Sequence, residues 1–191
     1  RGADMGDLHV ILATTLDGFV AAEDGSLDWI IMGDDRAGYM VEQLDRADTL
    51  MLGRKTYEGF AAYWPHAPEN PDAPEVDKVI GARFNAMDKV VFSRTLEVAE
   101  WDGTRVLRSI EPEEIARLKA GSEKGIKLDG SISLVQQLTA LRLIDEYRLM
   151  VHPVALGRGR PLFTERVELE LVNSEPLSSG VVVLTYRPAS P

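Results

Sequence analysis

"LMLGRKTYEGF", Leu50 to Phe60, runs three apolar residues into Gly53, then sets two cations, a hydroxyl and an aromatic side by side. The apolar run reads as a buried strand. "RKTYEGFAAYW" after it reads as a helix, so Arg54, Lys55 and Thr56 fall in a first helical turn at a strand's carboxyl end. The first N–H groups of a helix have no intrahelical partner and carry partial positive charge, which favours a phosphate. Arg and Lys beside them add charge-assisted hydrogen bonds. The same residues also read as an exposed first turn with Thr56 as a local cap.

Working outward, strands and helices alternate. "LHVILATT" (8–15), "DTLMLG", "KVVFS" (89–93), "TRVL", "GIKLDGS" and "DEYRLMVHPVAL" read as strands. Helices are expected from Asp34 or Asp35 to about Arg46, over 76–82, over "EPEEIARLKAG" and over "SLVQQLTALRL". "PHAPENPDAP" reads as a loop, and "VELELVNSEPLSSGVVVLTYRP" as two strands joined by a turn. The order predicts an α/β fold over a single domain, 1–191: a mostly parallel, helix-covered sheet with an antiparallel C-terminal edge. Such sheets bind ligands at the carboxyl ends of their strands.

Two further strands end as suggestively as the first. "KVVFS" leads to Ser93-Arg94, and "IKLDG" to Gly130-Ser131 and a helix. Two such turns side by side would hold the two ends of a dinucleotide. An ordinary turn at Ser93-Arg94 and a plain helix start at Gly130-Ser131 fit the same residues. Neither G-x-G-x-x-G after the first strand nor G-x-x-x-x-G-K-[ST] occurs.

The 191 residues carry a net charge of −10, which disfavours a nucleic-acid backbone as partner and makes Arg54-Lys55 and "GRGR" (157–160) local positive exceptions. No cysteine is present, so disulfides and thiolate sites are excluded. His9, His66 and His152 lack ligand spacing, and no metal site is expected. No apolar run reaches the roughly 20 residues of a membrane helix. "RGADMGD" is unlike a signal peptide, and a cytoplasmic protein without membrane attachment is the expectation.

"ATTLDGFVA", "ADTLMLGRKTYEGFAAYWP", "VVFSRTL" and "LDGSISLVQQLTALRLIDEYRLMVHPVALGRGRPLF" together resemble the dihydrofolate reductase-like superfamily. The closer likeness is to the reductase domain of bacterial riboflavin-biosynthesis deaminase-reductases. The resemblance implies that family's three-layer sandwich and an NADPH-dependent reductase. It implies cofactor phosphates at Gly53, Arg54, Lys55 and Thr56, and the 2′-phosphate end at Ser93 and Arg94. It further implies pyrophosphate and nicotinamide near Gly130, Ser131, Ile132 and Leu134, with Ala13 along the nicotinamide. It also implies a homodimer supported by the antiparallel ending. The chain departs from the pattern in three places. Ser131 replaces the second glycine of a Gly-Gly pair, whose unusual backbone a serine is expected to resist. Ile11 and Leu44 stand where the riboflavin-pathway reductases carry Lys and Arg, which argues for another substrate. Trp29 and Arg36 keep the riboflavin-type pattern.

Hydride transfer to a C=N bond also needs a proton source. Asp34 is the catalytic candidate, with Asp35 beside it, although either also reads as a helix cap. Asp17, Trp29 and Tyr57 are the substrate-binding candidates. A turn-forming aspartate and core aromatics fit those residues equally. Two functions fit these residues: reduction of a small planar heterocycle, a pyrimidine or a pterin, or a non-catalytic NADP-binding module of the same fold.

Overall fold

The structure is a computed structural model that describes residues 6–189. Its strands are β1 (Leu8–Thr15), β2 (Phe19–Ala21), β3 (Thr49–Gly53), β4 (Asp88–Phe92), β5 (Thr104–Leu107), β6 (Ile126–Leu128), β7 (Glu146–His152), β8 (Arg160–Pro161), β9 (Leu169–Pro176) and β10 (Val182–Pro188). The helices are α1 (Asp34–Leu44), α2 (Arg54–Ala61), α3 (Glu75–Ala86), α4 (Pro112–Gly121) and α5 (Ile132–Ala140). Eight strands form one sheet in the order β5-β4-β3-β6-β1-β7-β10-β9. The pairs from β5 across to β7 are parallel, while β10 runs antiparallel to both β7 and β9. This is the dihydrofolate reductase-like arrangement, and it opens the carboxyl ends of β4, β3, β6, β1 and β7 along one edge.

Alternation along the strands sorts the core into two layers. Leu8 and Val10 of β1, Ile126 and Leu128 of β6, and Tyr147 and Leu149 of β7 face Ile115 of α4 and Leu134, Val135 and Leu138 of α5. The opposite face sets Leu50 and Leu52 of β3 and Val91 of β4 against Leu44 of α1, Tyr57 of α2 and Phe84 of α3. Burying each such side chain contributes roughly 1.5–3 kcal/mol. The register His9↔Lys127 and His9↔Glu146 puts charged residues on this second face too, and Arg148 joins Gln43 and Glu146 there.

Three elements differ from the sequence reading. α3 runs from Glu75 to Ala86 rather than ending at Ala82, because Phe84 extends the apolar face into the aromatic group around Trp101. Lys89 then closes its end: the buried ammonium donates to the carbonyls of Asn85 (3.2 Å), Met87 (2.8 Å) and Asp102 (2.9 Å) and lies 4.7 Å from the Trp101 ring centre. β7 stops at His152, since Pro153 has no N–H for the ladder. The tail of "GRGRP", which the sequence reading left outside any strand, pairs with β2 through Arg160 and Pro161.

Candidate active site

The opening stretch behaves as its pattern predicts. β3 delivers Gly53 to the carboxyl edge, and α2 starts at Arg54 with no side chain capping its first turn. α5 likewise starts after Ser131 without a side-chain cap. The two turns are in direct contact, since the Gly53 N–H donates to the Gly130 carbonyl at 2.7 Å. A Cβ on Gly53 would lie 2.7 Å from Ser131 Oγ and 3.0 Å from Ser131 N. Glycine is therefore required at position 53 by close approach, not by its φ of −84°. Gly130 is the residue with the left-handed backbone, φ +94°, and it precedes a cis peptide bond to Ser131. Ser131 itself sits at φ −70°. The expected conflict between serine and this backbone is corrected: the unusual conformation falls on Gly130, and Ser131 Oγ turns to Ser133 Oγ at 3.0 Å.

Around these paired helix starts lie cations of unequal freedom. Arg54 pairs with Glu58 one turn along the helix at 3.0 Å, with both side chains near half exposure. Lys55 is exposed and makes no hydrogen bond or ion pair with the described residues. Thr56 Oγ1 lies beside Gly130. At the end of β4, Ser93 Oγ accepts the N–H groups of Thr95 (3.2 Å) and Leu96 (2.9 Å), which leaves its proton to donate. Arg94 is exposed and unpaired among the described residues. Arg108 braces this turn through the carbonyls of Ser93 (3.0 Å) and Leu96 (2.7 Å). The sequence reading missed Arg108; its one signal was a cation directly after the "TRVL" strand.

Ala13 lies half-buried on β1 opposite Met150. Ile132 opens α5 half-buried. Leu134 does not join the turn, because its side chain is in the core and its N–H is taken by the Ser131 carbonyl at 3.0 Å. Tyr57 is also corrected. It is buried against Trp101, ring centres 6.4 Å apart, and its hydroxyl accepts the Trp101 N–H at 3.1 Å, so it packs the core rather than facing a substrate.

The carboxylate candidates divide. Asp34 begins α1, and its side chain lies outside the described part of the structure. Asp35 accepts the Ser178 hydroxyl (2.8 Å) and the Ser179 N–H (2.9 Å), and these bonds lower its pKa to about 2. An acid so held stays ionised and ties α1 to the β9–β10 hairpin, so it is no proton donor. Asp17 accepts the Thr15 hydroxyl at 2.6 Å and the N–H groups of Leu156 and Gly157 at 3.2 and 2.7 Å. The Thr15 bond leads in holding its pKa below the ordinary value. Asp17 is thus committed to clamping the 156–160 loop.

A further group at this edge escaped the sequence reading. Lys127 is wholly buried and forms an ion pair with Asp129 just ahead of Gly130. Beyond that ion pair, neither Lys127 Nζ nor Asp129 Oδ2 has a further partner among the described residues. Asp129 also acts electrostatically on Arg36, whose pKa burial lowers. His152, fully buried at the end of β7, meets Trp29 edge-on with ring centres 5.4 Å apart. Its Nδ1 accepts the Ile31 N–H at 3.2 Å, and burial, then Arg36, lowers its pKa. Ile11 and Leu44 are core residues, 5% and 1% exposed, so a cation at either would displace apolar packing.

The chain matches the RibD C-terminal domain family over residues 8–183. It is 38% identical over 179 residues to the uncharacterized protein YyaP of Bacillus subtilis (strain 168), spanning 92% of each chain. Among solved structures it resembles a putative riboflavin biosynthesis protein from Shewanella sp. PV-4, at TM-score 0.72 and 25% identity, covering 96% of this chain and 99% of that one. The fold also matches dihydrofolate reductase from Enterococcus faecalis complexed with NADP(H), at TM-score 0.63 and 18% identity, covering 97% and 98%.

Proposed function

The chain belongs to the RibD C-terminal domain family, and from that premise we propose that it is an NADPH-dependent reductase of a small planar heterocycle. The observation that carries this reading is the contact between the Gly53 and Gly130 turns, which brings two uncapped helix starts together. Their free N–H groups, with Lys55 and Arg54, suit a pyrophosphate. Ser93, Arg94 and the bracing Arg108 suit a 2′-phosphate. The residues therefore fit NADPH: Lys55 and Arg94 have no competing partner among the described residues, and Gly53 stands where a side chain would crowd the turns.

NADPH, when bound, supplies the hydride. The chain's part is to bind and orient: β1 at Ala13 would lie along the nicotinamide, with Asp129 and His152 at the ends of β6 and β7 and Trp29 and Arg36 on the approach to and start of α1 beside them. Asp35 holds no proton near neutral pH. Asp17 is committed to Thr15, Leu156 and Gly157, and Asp129 to its ion pair with Lys127.

Calorimetric titration with NADPH and NADH at one salt concentration tests the reading. Tight NADPH binding and weak NADH binding are expected. Equal affinity for both would remove the 2′-phosphate assignment, and no binding of either would withdraw the reductase. NADPH binding with no turnover of any pyrimidine or pterin would instead favour a non-catalytic NADP-binding module.

A further inference from the structure

The carboxyl edge of β1 and β7 holds a surplus of buried hydrogen-bond donors. Trp29 Nε1, Arg36 Nε and His152 Nε2 are all buried without a partner among the described residues. His152 Nδ1 accepts the Ile31 N–H, so the proton of the neutral imidazole is on Nε2, which is a donor. Trp29 stands edge-on to His152, and Ile31, five residues ahead of Arg36 on the approach to α1, donates its N–H to the same ring, while Arg36 acts electrostatically on His152 and on Asp129. Buried donors without acceptors are costly, and native structures rarely leave several together.

The charge at this edge points the same way. Lys127 and Arg36 are cations, and among the described residues the carboxylate set against them is Asp129, which pairs with Lys127 and acts on Arg36. Asp35, next in sequence to Arg36, is spent on Ser178 and Ser179. A buried surplus of positive charge calls for an anion. We propose that Trp29, Arg36 and His152, beside an Asp129 taken up by Lys127, form a donor-rich subsite that takes a planar substrate through a delocalised oxyanion. The subsite selects against rings that present amino groups at that edge. The proposal rests on the reductase reading for the idea that a planar substrate arrives here, and His152 acts in it as a specificity-determining residue.

The test uses the full chain with NADPH present and three pyrimidine probes of one shape. Barbiturate is an anion with carbonyl oxygens, uracil is neutral with two carbonyls, and 2,4-diaminopyrimidine replaces those oxygens by amino donors. Binding is read by the ¹⁵N–H signals of the Trp29 indole and the His152 imidazole. Barbiturate is expected to move both signals and to bind about tenfold more tightly than uracil, because charge-assisted hydrogen bonds are roughly twice as strong as neutral ones. The diamino ring is expected to move neither. His152→Leu should cost barbiturate about tenfold, while His152→Gln, which keeps a side-chain N–H, should retain most of the affinity. Should His152→Leu fail to fold, the probe ranking on the unaltered chain decides. Diaminopyrimidine binding as well as barbiturate, or both signals staying fixed with every probe, would overturn the subsite. Either result with intact NADPH binding leaves the reductase reading standing, whereas lost NADPH binding with barbiturate still shifting both signals would do the reverse.

Discussion

Gly53→Ala is the sharpest perturbation of the proposed cradle, because the change is one methyl group at a place where two turns touch. The added carbon would lie 2.7, 3.0 and 3.2 Å from Ser131 Oγ, N and Cβ, where ordinary contact starts at 3.4 Å. The turns must therefore separate by several tenths of an ångström, and the 2.7 Å bond from Gly53 N–H to the Gly130 carbonyl lengthens with them. Overpacking of this kind costs about 1–3 kcal/mol, and weakening that buried bond adds about 1 kcal/mol. Because φ at Gly53 is negative, no backbone strain contributes, and the cost depends on Ser131 alone. Urea denaturation should thus show a loss of about 2–4 kcal/mol, and NADPH affinity should drop about tenfold or more as the helix starts part. In a Ser131→Gly background two of the three contacts vanish, so at least half of the loss should disappear. An equal loss in both backgrounds, or no loss in either, would refute the claim of close approach.

Arg94→Ala should weaken NADPH far more than NADH in calorimetry; equal losses would remove the 2′-phosphate assignment. Lys89→Met should cost about 2 kcal/mol in thermal denaturation without changing cofactor affinity, because the carbonyls of Asn85 and Met87 at the end of α3 and of Asp102 ahead of β5 lose their common donor; an unchanged midpoint would show the cage to be idle. Asp35 has a folded pKa of about 2 against 3.8, so its contribution is complete above about pH 4 and is lost as pH falls toward 2. The gap in melting temperature between the unaltered chain and Asp35→Asn should narrow over that interval, and a gap independent of pH would contradict it. His9 is 3% exposed, and burial, then Arg148 and Lys127, holds its pKa well below 6.5. The unfolded chain therefore takes up the proton first, and stability should fall as pH drops below about 6.5. His9→Gln should flatten that slope in denaturation curves from about pH 7 to 5, and an unchanged slope would contradict the reading.

The residues that could be read in advance are those whose role is set by their neighbours in the chain. Gly53 to Thr56 and Gly130-Ser131 announce themselves because a strand, a turn and a helix start succeed one another within a few residues. The mostly parallel sheet with its antiparallel C-terminal edge came from the same alternation; the strand order did not. Asp35, Asp17 and Tyr57 could not be resolved in this way. Their partners, Ser178, Gly157 and Trp101, lie 143, 140 and 44 positions away, and no local pattern encodes such meetings. Leu134 failed for another reason: helical geometry turns it from the first turn into the core, a direction that closeness to the motif conceals.

His152 is the case where distant partners matter most. In the sequence it is only a histidine without ligand spacing, ahead of a proline. The proline ends β7 there, parallel pairing sets it opposite Thr15, and α1's approach delivers the Ile31 N–H to one ring nitrogen. That single bond fixes the other nitrogen as a donor. A residue with no motif thus acquires a defined chemical sense from three elements far apart in sequence. Ile11 and Leu44 already argue from the sequence for a substrate other than that of the riboflavin-pathway reductases. In the proposed subsite, the donors at Trp29, Arg36 and His152 call for a substrate that answers buried N–H groups with oxygen and negative charge.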